Sequence, residues 1–152
     1  MSELKFDPAE IQAAIAAIPS LYRPYVQRAF DEADAKVAEE IAYEMLGEPP
    51  RIGFAVGLGS PVKRNSLWAH VLDEVHTFLC TSSPQYKDER TKSQLTFQGV
   101  ITVISSTVSS TVSVGVGILS GLTAIALSLV MKMGKNAWCK MYIERKQIQT
   151  SK

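Results

Sequence analysis

The residues best suited to chemistry follow a glycine-rich stretch in the middle of the chain. Gly57 and Gly59 lead to Lys63 and Arg64, just before a predicted helix start at Asn65. Glycine lets backbone amides approach an anion closely, and a helix N-terminus attracts negative charge. The stretch completes neither a P-loop nor a dinucleotide-binding pattern. We therefore predict a local anion site at Lys63 and Arg64, with a plain glycine-rich connector as the alternative.

Motifs for catalysis and for metal binding are absent from the sequence. It contains no Gly-x-Ser-x-Gly, no His-Glu-x-x-His and no paired-cysteine metal set. His70 and Glu74 are four residues apart, but no third ligand is indicated. The two cysteines, Cys80 and Cys139, suggest no disulfide framework, and a reducing compartment is the default. We predict a protein that is not an enzyme and needs no metal or cofactor.

The longest pattern in the chain is an uncharged segment. Residues 93–131 contain no Asp, Glu, Lys, Arg or His, and the second half, 112–131, is almost continuously apolar. About 18 to 20 apolar residues suffice to cross the hydrocarbon core of a bilayer. We predict a membrane segment over 98–131. The alternative is a helix buried in the core of a soluble bundle.

Small and hydroxyl-bearing residues form one helical face of this segment. They recur at spacings of three and four, and Gly117 and Gly121 add a G-x-x-x-G pattern. Membrane helices associate through such small residues. In the alternative, the hydroxyls only bond to carbonyls of the preceding turn. We predict helix packing or pore lining by Thr102, Ser106, Ser109, Ser113, Gly117, Ser120, Gly121, Ala124 and Ser128.

The number of membrane spans is left open by the sequence. One helix over the whole segment would be roughly 58 Å long, against a hydrocarbon core of about 30 Å. We expect one long helix with its membrane part at 108–131, and a tight helical hairpin turning at 114–117 as the alternative. A basic cytoplasmic tail, 132–152, follows. Its predicted membrane-interface anchors are Lys132, Lys135, Trp138, Lys140 and Tyr142.

The first 80 residues are predicted to form a soluble helical head, so that the fold class is mainly α. Asp7-Pro8-Ala9-Glu10 supplies a capping acid and a proline at the first helical position. A second helix should continue to Leu46, and the alternation over 52–58 predicts a short extended segment. A charged linker, 81–97, joins the head to the membrane segment. A third helix carries the apolar stripe Trp68, Val71, Leu72, Val75, Phe78 and Leu79.

A small head, an uncharged Ser/Thr/Gly-rich segment and a basic tail, in this order, resemble the small membrane effectors of bacterial anti-phage defence systems. Among these is the channel-forming effector of the Hailong system. The resemblance covers the chain as an order of parts. It implies a homo-oligomeric channel in the cell inner membrane that an oligonucleotide or nucleotide signal opens or closes. It also implies that phosphate would bind at Lys63 and Arg64, with Arg51 as a helper.

We therefore predict an oligomeric membrane channel or pore-forming effector, gated through its head, that acts in bacterial defence by membrane depolarisation. Its expected partners are the lipid bilayer, further copies of itself and a nucleotide signal. The first alternative is a membrane-anchored adaptor or immunity-type binding protein without pore activity. The second is a soluble helical bundle with a buried apolar helix.

Overall fold

The computed structural model describes residues 6–47, 61–81 and 96–150, with the side chains of 61–66 and 145–150 left out. All regular structure within these ranges is helical, which confirms the mainly α prediction. The extended segment predicted at 52–58 lies outside the described residues. The helices are α1 (Pro8–Ala17), α2 (Arg23–Asp31), α3 (Ala35–Met45), α4 (Pro61–Cys80), α5 (Phe97–Val112), α6 (Val116–Met133) and α7 (Lys135–Thr150).

Side-chain caps mark the starts of α1 and α3. Asp7 accepts a hydrogen bond from the backbone N–H of Ala9, and Pro8 opens α1, as the sequence predicted. The prediction of a single second helix up to Leu46 is wrong, because α2 ends at Asp31 and α3 begins at Ala35. Asp34 accepts from the backbone N–H of Lys36 there and begins a new helix.

Helix α6 lies at the centre of the fold and packs against α2, α3, α4, α5 and α7. The ten residues from Gly121 to Val130 are all buried. The surrounding helices turn apolar faces toward it. In α4 the six residues of the predicted apolar stripe are all buried, from Trp68 to Leu79. The core of the bundle is therefore built around the most apolar part of the sequence.

The single long helix predicted over 98–131 is wrong, because the chain turns between α5 and α6. Ser113 adopts a left-handed conformation with φ 58° and ends α5. The Ser109 hydroxyl donates to the Val114 carbonyl at 2.6 Å, which fixes the turn. Gly115 then precedes α6. The alternative, a tight helical hairpin, describes the observed path. We call residues 97–133 the hairpin.

Candidate functional site

The two helices of the hairpin pack against each other along their length. Halfway down, the hydroxyls of Ser105 and Thr123 lie 3.4 Å apart, and both residues are fully buried. These positions are equally distant from the turn at Val114, as expected for antiparallel helices. These two buried hydroxyls are thus hydrogen-bonded to each other inside an otherwise apolar contact.

Helix α6 alone is long and apolar enough to cross a bilayer, among the residues that the structure describes. It has 18 residues with a mean hydropathy of 1.8, and 61% of them are buried in the bundle. Helix α5 is apolar but shorter. The core helix of a soluble protein meets the same criterion of length and composition. Length and composition alone therefore do not distinguish a membrane span from a buried core helix.

The predicted small-residue face is divided between two helices and is not gathered on one surface. Its exposed members belong to α5 and the turn, and its fully buried members belong to α6. Several hydroxyls donate to the preceding turn: Thr107 to Val103, Ser110 to Ser106, Thr111 to Thr107 and Ser128 to Ile125. Thr102, Ser106 and Ser113 are exposed, Ser109, Gly117 and Ser120 are half-buried, and Gly121, Ala124 and Ser128 are buried.

The two glycines of the G-x-x-x-G pattern allow α6 to approach the first helices closely. A Cβ atom at Gly117 would lie 3.1 Å from the Cγ of Pro19. A Cβ atom at Gly121 would lie 3.1 Å from the Cε of Met45 and 3.4 Å from the Cβ of Tyr22. These contacts occur within one chain. The glycines therefore help to hold the hairpin in the bundle in this conformation.

Polar contacts hold the open end of the hairpin, opposite its turn. The Glu10 carboxylate of α1 accepts the backbone N–H of Phe97 at 2.5 Å, at the N-terminus of α5. The Lys132 ammonium of α6 donates to the Ala29 carbonyl at 2.7 Å, in the last turn of α2. The Phe30 ring lies 5.7 Å from the Phe97 ring and 5.6 Å from the Lys132 ammonium. We call these five residues the base of the hairpin.

An exposed ion pair joins α2 and α3, which both pack against α6. Arg28 of α2 donates to the Glu44 carboxylate of α3 at 2.9 Å. This hydrogen bond lowers the pKa of Glu44 below its usual value and raises that of Arg28. Both side chains are about half exposed, so the pair contributes little to stability.

A disulfide joins the two cysteines, contrary to the expectation of unpaired thiols. Cys80, the last residue of α4, is bonded to Cys139 of α7, with their Cα atoms 5.9 Å apart. The residues lie 59 positions apart in the sequence. No local pattern signals the pairing, because it depends on how α7 returns to α4. The whole hairpin lies inside the loop that this bond closes.

The predicted interface anchors are divided between the core and the surface. Trp138 and Tyr142 are buried, and their rings stack at 5.3 Å. The His76 ring of α4 lies 5.0 Å from that of Tyr142. The remaining anchors are Lys132 at the base of the hairpin, Lys135, which is half-buried, and Lys140, which is exposed. In this conformation the two aromatic anchors pack α7 against α4.

The predicted anion site falls largely outside the described part of the chain. Helix α4 begins at Pro61, so Lys63 and Arg64 lie in its first turn. Their side chains and Arg51 are outside the described residues. Over 6–47, 61–81 and 96–150, no three His, Cys, Asp or Glu side chains come together to hold a metal ion.

The hairpin and the contacts at its base are thus the most distinctive feature of this fold. No family model, curated protein or solved structure matches the chain. Function is therefore inferred from the chemistry of the hairpin.

Proposed function

We propose that this protein is a pore-forming membrane effector that stores its membrane-spanning hairpin in the core of a helical bundle. On activation the bundle opens, the hairpin enters the bilayer, and several copies form a pore that depolarises the cell. Bacterial defence under the control of a nucleotide signal remains the setting that we propose from the resemblance.

The observation that carries this proposal is the absence of charge on the solvent-facing side of α5. Its exposed residues include Thr102, Ser106, Ser110 and Thr111, and the segment 93–131 contains no charged residue. Helix α3, by comparison, exposes Lys36, Glu40 and Glu44. A helix that only covers a soluble core is free to carry such charges. A helix that must enter a bilayer is not, because each charge at its centre costs about 2.5–3.5 kcal/mol.

The hydroxyls of α5 are compatible with lipid because five of the seven donate to groups within the hairpin, three of them inside the helix itself. Thr107, Ser110 and Thr111 donate to carbonyls of the preceding turn, at 2.9 to 3.2 Å. Such bonds need no water and remain when the helix enters an apolar medium. Once inserted, the same small side chains permit close packing between copies. The predicted pore-lining face would then form between chains.

The dimensions of the hairpin are close to those of a bilayer. Helix α5 has 16 residues and α6 has 18, so that they are about 24 Å and 27 Å long. The hydrocarbon core is about 30 Å thick, and local thinning accommodates a slightly short helix. Both ends of the hairpin would remain on one side, beside the basic tail. This is the cytoplasmic side by the positive-inside rule.

A second function is favoured by the complete burial of residues 121–130. In that case α6 is only the core of a soluble binding protein, and the hairpin never leaves the bundle. It predicts purification without detergent and no response to lipid. The membrane-anchored adaptor differs again, since it predicts membrane binding without ion flux and free replacement of the hairpin by another anchor.

The deciding experiment places charges where the bundle tolerates them and a bilayer does not. Ser106 and Ser110 are exposed and four residues apart, so Ser106→Glu with Ser110→Lys should form a solvated pair on the folded bundle. The matched control, Gln12→Glu with Ala16→Lys, puts the same pair on exposed positions of α1. We expect wild type and the control to depolarise bacterial cells, as read with a voltage-sensitive dye.

The hairpin variant should fold with unchanged stability and lose depolarisation by at least about tenfold, since Ser106 lies near the middle of α5, where a charge in the bilayer costs more than about 1.4 kcal/mol. Depolarisation by the hairpin variant at the wild-type rate would overturn the proposal. Absence of depolarisation by wild type in the presence and absence of candidate nucleotides, with no protein in the membrane fraction, would favour the soluble bundle.

A further inference from the structure

The disulfide between Cys80 and Cys139 lies where the bundle would have to open. Helix α4 packs against α5, α6 and α7, so it covers the hairpin on one side. The hairpin cannot leave the bundle until α4 separates from it. The disulfide ties the C-terminal end of α4 to α7, shortly after the hairpin ends. Its position makes it a restraint on this separation.

We propose that the disulfide is a redox latch that keeps the hairpin stored while it is intact and releases the hairpin when it is reduced. This inference rests on the proposed function, because it regulates the insertion of the same hairpin. It adds the thiol redox state around the protein as a second control beside the proposed nucleotide signal.

The latch acts through the short connection between the hairpin and Cys139. Six peptide units separate Met133 from Cys139, so even a fully extended chain spans only about 20 Å between them. While the bond is intact, the Cα atom of Cys80 must stay within that distance plus the 5.9 Å across the disulfide from the end of α6. Once it is reduced, α4 is joined to the hairpin only through residues 81–96, a longer connection. Separation of the two elements then becomes possible.

The remaining contacts between α4 and α7 are non-covalent. The His76 ring lies 5.0 Å from the Tyr142 ring and 6.4 Å from the Trp138 ring. A ring pair adds about 0.5–1.5 kcal/mol beyond the burial of the rings, so thermal opening can break these contacts but cannot break the disulfide. Without the covalent bond, α4 and α7 can therefore separate as part of local opening.

Cys80 and Cys139 are both only half-buried, so the disulfide lies at the edge of the core and not inside it. A dithiol reductant would attack one sulfur as a thiolate and form a mixed disulfide, releasing the other sulfur as a thiolate. Its second thiol would then displace the bound cysteine. The protein gains two electrons and two protons and ends with two thiols, and the reductant becomes a disulfide.

The test compares dye release from vesicles of phosphatidylethanolamine and phosphatidylglycerol by the full chain in three covalent states. These are the oxidised protein, the protein reduced with dithiothreitol and alkylated with iodoacetamide, and the protein whose cysteines are joined by a non-reducible thioether bridge made with dibromoacetone. The double variant Cys80→Ser with Cys139→Ser serves as a permanently open form. Hydrogen exchange of α4 and α5 without vesicles reports on opening itself.

We expect the open forms to release dye at least about tenfold faster than the oxidised and thioether-bridged forms. Amide exchange in α4 and α5 should also rise, by up to about a thousandfold if the bond restrains global opening. Equal exchange in the oxidised and reduced protein would overturn the latch, even if the double variant does not fold. So would equal dye release from all forms, which would leave the pore function intact. Faster exchange on reduction without dye release from any form would keep the latch and reject the pore.

Discussion

Replacing Lys132 with Met tests whether the base of the hairpin restrains it. The substitution keeps the apolar stem of the side chain and removes the ammonium that donates to the Ala29 carbonyl at 2.7 Å. A hydrogen bond from a charged group contributes about 1.5–3 kcal/mol, and the carbonyl lies at the negative end of the α2 dipole. The contact with the Phe30 ring at 5.6 Å is also lost. We expect the free energy of unfolding to fall by about 2 kcal/mol.

The consequence for function has the opposite sign. A loss of about 2 kcal/mol raises the population of the opened bundle roughly thirtyfold, because each 1.4 kcal/mol is a factor of ten. If the opened bundle is the form that inserts, dye release from vesicles should accelerate by up to the same factor. Urea unfolding followed by circular dichroism measures the first effect, and release of a trapped dye measures the second.

The matched control is Lys140→Met, which removes the same charge from an exposed position of α7. We expect it to change the free energy of unfolding by less than about 0.5 kcal/mol. An unfolding midpoint of Lys132→Met equal to that of wild type would refute the restraint. A variant that is less stable and also releases dye more slowly would show Lys132 acting as an interface anchor in the membrane.

Two further predictions concern the close packing of α6 and the ion pair between α2 and α3. Gly121→Ile should lower the free energy of unfolding by about 1–3 kcal/mol, since its Cβ would lie 3.1 Å from Met45. The control is Gly115→Ala, because a Cβ atom at Gly115 would have no atom within 4 Å. It should change the free energy of unfolding by less than about 0.5 kcal/mol in chemical denaturation. Equal losses of stability in the two variants would contradict the close packing at Gly121. Because the bond from Arg28 lowers the pKa of Glu44, its stabilisation is present above the usual carboxyl pKa and is lost as pH falls through the lowered one. Glu44→Gln should therefore lower the free energy of unfolding by at most about 1 kcal/mol at pH 7 and by less at pH 3. Urea denaturation at the two pH values measures both effects. A larger loss at pH 3 than at pH 7 would refute the predicted pH dependence.

The parts of the fold that local chemistry decides could be predicted from the sequence. Asp7 and Pro8 mark the start of α1 because a cap and a fixed φ act within one turn. The apolar stripe of α4 follows from helical periodicity alone. Asp34 is a capping acid like Asp7, but no proline follows it and no glutamate stands three residues later, so the sequence marks the start of α3 less clearly than that of α1.

The sequence favours one long helix over the hairpin because the small-residue pattern continues through the turn. Ser109, Ser113 and Gly117 keep helical spacing, although Ser113 is the residue that leaves the helix. The contacts that define the candidate site join distant parts of the chain. Lys132 and Ala29 are 103 positions apart, and Cys80 and Cys139 are 59 apart. No periodicity or motif encodes such pairs, because they depend on how the helices pack.

The central position of α6 has a consequence for how the protein is made. Helices α2 to α5 precede it in the chain, so during synthesis they emerge before the helix around which they pack. Domains assemble as the chain grows, and apolar surface that awaits its partner is open to competing interactions. When α6 emerges, it can pack against the earlier helices or, in the function that we propose, insert into a nearby membrane. If the hairpin inserts as we propose, the speed of translation and the distance of the ribosome from the bilayer help to determine whether a new molecule begins as a closed bundle or as an inserted hairpin.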